Sequence, residues 1–115
     1  MEIKANSRIV GYYLSIDKVT LTNARVELEL PKDSRILSVG VRKDLSGDSE
    51  VIRAYLWVLG NPLPKKEDME LRSFIVAEEG RHHHIDFAGD VYPYIGTFDM
   101  NCHRRIFHVF EEIKK

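Results

Sequence analysis

The chain has 115 residues, 43% hydrophobic and 30% charged, as expected of one globular β domain spanning 1–115 with a core of its own. Its 17 basic and 18 acidic side chains give a net charge of -1, which argues against the broad positive field that drives binding to long nucleic acid. A single cysteine, Cys102, excludes an intrachain disulfide and multi-cysteine zinc patterns; no apolar run reaches the roughly 18 residues of a membrane span, and the expected address is the cytoplasm.

In chain order, "RIVGYYLSI" reads as a strand in which Gly11 allows a bulge or a close backbone approach. "RVELEL", Arg25 to Leu30, alternates strictly, with Val26, Leu28 and Leu30 on one face and Glu27 and Glu29 on the other. After "PKDS", Leu37, Val39 and Val41 resume the same period, so the two runs are expected to form a hairpin or neighbouring strands. "VIRAYLWVLG", Val51 to Gly60, is apolar on both faces apart from Arg53 and predicts a central strand. "NPLPKKED" predicts a surface loop, and "ELRSFIVAEE" a further strand with Leu71, Ile75 and Ala77 opposing Phe74 and Val76. "HHHIDFAGDVYP" is irregular, a loop or one helical turn. The last two runs, Tyr94 to Phe98 and Ile106 to Phe110, predict a C-terminal hairpin joined by "DMNCHRR". Seven or eight short strands in this length predict a mainly β fold: a compact antiparallel β-sandwich or open barrel with room for one short helix.

The polar residues with chemical potential cluster late in the chain. In an extended "RHHHI", His82 and His84 share a face and His83 points away; with Asp86 they offer a metal-dependent hydrolase as one reading. His108, between Phe107 and Val109, fits a satisfied core or interface histidine better than a catalytic base. Cys102 and His103 are adjacent, which does not by itself make a catalytic pair. The scattered glycines form neither a P-loop nor a dinucleotide fingerprint, so phosphates would fall to the forked guanidinium groups of Arg81, Arg104 and Arg105. Trp57, Tyr92 or Tyr94 would stack on a base, and Thr97 or His82 to His84 would bond polar edges.

"YIGTF", Tyr94 to Phe98, followed by "FHVFE", Phe107 to Glu111, resembles the ending of a family of small bacteriophage proteins of unknown function. "SRILSV" from Ser34 to Val39, the lone Trp57 and "EGRHHHI" are similar in order and spacing to that family's middle, so the resemblance covers Pro31 to Glu111. Where the family has a Thr-Gly-His-Pro pattern, this chain keeps Gly80 and a nearby histidine, with Glu79 in place of threonine and no proline. The resemblance implies a phage origin and a small β fold acting in the cytoplasm of an infected host. By analogy with other small phage proteins, the expectation is a non-catalytic protein without a cofactor or metal. It would sequester a nucleotide defence signal such as a cyclic dinucleotide and self-associate as a dimer or tetramer, with neither a membrane nor long nucleic acid as partner. An inhibitor or adaptor of a host factor is the alternative from another class.

Overall fold

A computed structural model gives the structure of residues 7–20, 23–62, 64–83, 85, 89, 91–100 and 105–114. They form seven strands: β1 (Arg8–Tyr13), β2 (Arg25–Pro31), β3 (Arg35–Ser46), β4 (Ser49–Gly60), β5 (Met69–Glu78), β6 (Tyr94–Asp99) and β7 (Ile106–Glu112). Two single 3-10 turns, Ile16–Lys18 and Lys66–Asp68, are the helical segments among the described residues. The strands lie in a three-stranded antiparallel sheet ordered β1-β4-β3 and a four-stranded one ordered β2-β5-β7-β6. This is the sandwich of the two predicted architectures, not a closed barrel.

The alternation in each strand decides which side chains enter the layer between the sheets. Ala54, Leu56 and Val58 of β4 face Val26 and Leu30 of β2, Phe74 and Val76 of β5, Phe107 and Val109 of β7, and Phe98 of β6. Phe74 and Phe107 are fully buried, which removes enough apolar surface to stabilise the fold by about 2–3 kcal/mol each. The phenyl rings of Phe98 and Phe107 stack at 5.2 Å and 17°. On β5, Leu71 lies exposed on the outer face while Ile75, on that same face, is buried between its sheet neighbours Arg25 and Phe110.

Two arginine–carboxylate pairs bracket this apolar layer. At one end Arg72 makes a two-pronged bond to Glu111, with Nε 2.6 Å and Nη2 2.8 Å from its oxygens, and donates through Nη1 to the Ser34 carbonyl at 2.7 Å. At the other end Arg105 grips Glu78 through Nε and Nη2 at 3.1 and 2.8 Å while lying 5.0 Å from the Phe107 ring. The two carboxylates, 10% and 11% exposed, are tolerated there because each is matched by forked hydrogen bonds. Arg105 holds the Glu78 carboxyl below the usual glutamate range, chiefly by hydrogen bonding and then by charge, with burial opposing the shift.

The expected pairing of the second and third strands does not occur. β2 pairs with β5 in one sheet and β3 with β4 in the other, so the chain changes sheets between Pro31 and Arg35. Asp33 takes a left-handed φ of 64° there, and buried Ser34 donates its hydroxyl to the Pro31 carbonyl at 2.6 Å. Alternation tells which face a strand buries and leaves its partner open. β3 instead forms a hairpin with β4: Ser46 pairs with Ser49 across Gly47 and Asp48, with Gly47 at φ 65° as a type II′ turn requires.

Candidate functional site

The outer face of the three-stranded sheet carries a set of side chains that the core does not need. On β4, Arg53, Tyr55 and Trp57 follow one another at the two-residue period of a strand. The register sets Tyr13 of β1 beside Tyr55, Gly11 beside Trp57, Gly40 of β3 beside Tyr55 and Arg42 beside Arg53. The two glycines shape the surface. A Cβ on Gly40 would stand 2.9 Å from Cζ3 of Trp57, and one on Gly11 would stand 3.4 Å from its Nε1. The indole therefore lies across all three strands in room that two neighbouring side chains would otherwise fill. Tyr55 continues the row, its ring 6.1 Å from Trp57 on one side and 6.1 Å from Tyr13 on the other.

Arginines frame these rings. The Arg42 guanidinium sits 4.0 Å above the Tyr55 ring and that of Arg53 lies 5.9 Å from the Tyr13 ring, both within the range of cation–π attraction. Asp44 ties them together: it accepts the Tyr55 hydroxyl, Nε of Arg42 at 2.8 Å and Nη1 of Arg53 at 3.5 Å. These bonds hold the Asp44 carboxyl below the usual aspartate range, the Tyr55 hydroxyl contributing most and Arg42 next. The register adds Arg35, opposite Leu59, so this face carries three arginines against one aspartate in a chain of net charge -1. The outer face of the other sheet has the opposite balance, with Glu27, Glu29, Glu79, Asp99 and Glu112 against Arg25.

Residues 13–115 match the model of a domain of unknown function, DUF7352. The chain belongs to the DUF7352 family. No curated protein and no solved structure matches it. Within this DUF7352 chain the matched span opens at Tyr13 and takes in Tyr55, Trp57, Gly40 and the three arginines, while Gly11 precedes it.

The ligand residues expected from sequence lie in separate places in this DUF7352 structure. Trp57 belongs to the face just described. Tyr94 and Thr97 lie on the outer face of the other sheet, in a hydrogen-bonded row: the Tyr94 hydroxyl meets Thr97 Oγ1, which is 3.0 Å from His108 Nδ1, whose Nε2 is 3.0 Å from Glu79. His108 is thus a partly exposed surface residue of a strand. Arg81 and Arg105 converge, but on the Glu78 carboxylate, Arg81 Nε at 3.8 Å and Arg105 at 2.8 Å. His82 is exposed, and the Tyr92 hydroxyl donates to the Gly89 carbonyl. His83 closes a strand end: Nε2 accepts the Glu78 N–H at 3.0 Å, leaving Nδ1 to donate to the Thr20 carbonyl at 3.0 Å. His84, Asp86, Cys102, His103 and Arg104 lie outside the described residues, and among the described residues no His/Cys/Asp/Glu group is placed to hold a metal.

The sequence reading gives no site role to Tyr13, Tyr55, Arg42, Arg53 or Asp44. A signal for them exists: an Arg-x-Tyr-x-Trp run on a strand, flanked in neighbouring strands by glycines. Another concavity, a cleft of about 360 Å³ between Arg35–Leu37 and Pro93–Ile95, has the Arg72–Glu111 pair on its wall. There the guanidinium's hydrogen bonds are directed to Glu111 and the Ser34 carbonyl.

Proposed function

We propose that this DUF7352 protein is a non-catalytic binding protein that holds a nucleotide-type ligand on the outer face of its three-stranded sheet. The observation that carries the reading is the Trp57 indole laid across the sheet between Gly11 and Gly40, beside Arg42 and Arg53. A base stacks on the indole by the same sequence-tolerant contact that aromatic sheet residues make with single-stranded nucleic acids. The phosphate shares Arg42 and Arg53 with Asp44, which keeps both guanidinium groups oriented before the ligand arrives. The phage-like C-terminal pair supports a setting in an infected cell, where sequestering a nucleotide defence signal takes binding without turnover. A dimer or tetramer suits such a role.

Trp57 is the only tryptophan in the chain, so its fluorescence reports this face alone. Titration with a panel of mono-, di- and cyclic nucleotides is expected to give saturable quenching with at least one member. That ligand should also raise the melting temperature in proportion to the logarithm of its excess concentration, and be recovered intact after denaturation. Recovery of a cleaved product would make the protein an enzyme. A panel that leaves both fluorescence and melting temperature unchanged would remove the proposal.

A further inference from the structure

The aromatic row offers two places for a base, not three, and this follows from how the rings are covered. Tyr55, in the middle, has the Arg42 guanidinium 4.0 Å above it and its hydroxyl bound to Asp44, so the protein itself occupies that stacking surface. Tyr13 is 45% exposed, with Arg53 at its margin 5.9 Å from the ring centre. Trp57 carries no arginine among the cation–π contacts of the described residues. Tyr13 pairs with Tyr55, two positions along β4 from Trp57, so Tyr13 and Trp57 are diagonal neighbours on one face. Such neighbours in an antiparallel pair stand about 7–8 Å apart. Aromatic residues on neighbouring strands of a sheet stack successive bases of one ligand. Arg53 lies at the Tyr13 end of the row and Arg42 over its middle, and the face as a whole holds three arginines against one aspartate.

Resting on the nucleotide reading above, we infer that the ligand carries two bases joined through a phosphodiester, one stacked on Trp57 and the other on Tyr13, with its phosphate charge met by Arg42 and Arg53. A single nucleotide uses the Trp57 position and leaves Tyr13 idle. The same two-base chemistry is presented by a cyclic dinucleotide and by a short stretch of single strand.

The test titrates the full chain with adenosine monophosphate, the linear diadenylate, the cyclic diadenylate and a linear tetra-adenylate, following Trp57 fluorescence. The wild type is expected to bind at least one two-base ligand about fivefold or more tighter than the monophosphate, the smaller end of what one stacked base contributes. Tyr13→Ala removes that gain, weakening the two-base ligand more than the monophosphate, and Tyr13→Phe, which keeps the ring, retains it. Thermal melts of both variants establish that they are folded. A cyclic ligand preferred over the tetra-adenylate identifies a closed dinucleotide, the reverse order identifies a strand, and either sustains the inference. Two-base ligands that bind no tighter than the monophosphate, or a Tyr13→Ala variant that retains the gain or weakens the monophosphate equally, would overturn it while leaving the nucleotide reading intact. Failure of all four ligands to bind would overturn both.

Discussion

Replacing Arg72 by leucine tests how the apolar layer is closed at one end. The Arg72 side chain is 18% exposed and that of Glu111 10%, and three short hydrogen bonds join Arg72 to Glu111 and to the Ser34 carbonyl. Leucine fills most of the space but leaves a nearly buried carboxylate without its cation. Breaking one side of such a pair costs about 3–5 kcal/mol, and the residual exposure argues for the lower end, about 3 kcal/mol. In a domain whose whole stability is about 5–15 kcal/mol this is a large fraction, equal to a fall in melting temperature of about 12 °C at roughly 4 °C per kcal/mol. The double variant Arg72→Leu with Glu111→Leu removes both charges and should recover most of that loss, since an apolar pair of similar volume is often as stable as the ion pair it replaces. Equilibrium unfolding in urea of the wild type, both single variants and the double closes the cycle. A double variant as unstable as the sum of the singles would mean that the carboxylate stays hydrated and that no coupled pair caps the core.

The opposite end of the layer makes a pH prediction. Because Arg105 lowers the folded-state pKa of Glu78, the pair's contribution is fully present above the ordinary glutamate value and is lost as pH falls through the lowered one. Chemical denaturation between pH 6 and pH 3, on the wild type and Glu78→Gln, should show a shallower acid loss in the variant; identical slopes would contradict the assignment. On the outer face of the three-stranded sheet, Gly40→Ala puts a Cβ 2.9 Å from Cζ3 of Trp57. The ring lies at the surface and can lift, so a modest cost of about 1 kcal/mol is expected, together with a red-shifted, more quenchable Trp57 emission. An unchanged spectrum would show that the indole does not rest on Gly40.

Much of the fold was legible because the two-residue period is strong where one face of a strand is buried. Val26 and Leu30 turn inward and Glu27 and Glu29 outward as the pattern of β2 predicts, β4 is central in its sheet, and β6 and β7 form the C-terminal hairpin. The pairing of β2 with β5 was not legible, since the three residues from Lys32 to Ser34 serve equally as a hairpin turn or as a crossing between sheets. What decided it is tertiary: Ser34 is buried at the corner against Gly60, where a Cβ would stand 2.7 Å from its Oγ. The candidate site was only half legible for a related reason. Trp57 stood out as the lone tryptophan, but β4 is apolar on both faces, so the sequence of that strand does not say whether Leu56 or Trp57 points outward. Tyr13, Arg42 and Asp44 join Trp57 only once β1 and β3 flank β4 in the observed register. Tyr94 and Thr97, grouped with Trp57 from sequence, sit on β6 in the other sheet because a sandwich gives its two outer faces to different strands.

The opposite charge balance of those two outer faces gives the molecule a direction that its net charge of -1 conceals. In a body about 41 by 41 by 21 Å, an excess of arginines on one outer face and of carboxylates on the other gives the charges of the described strands an electric dipole. For the nucleotide ligand proposed above, this would mean that at low ionic strength the acidic side is turned away and the side bearing Trp57 is presented, which shortens the rotational search before contact. The bias fades as the Debye length falls to about 8 Å at physiological salt, so it acts on the rate of encounter far more than on the complex once formed.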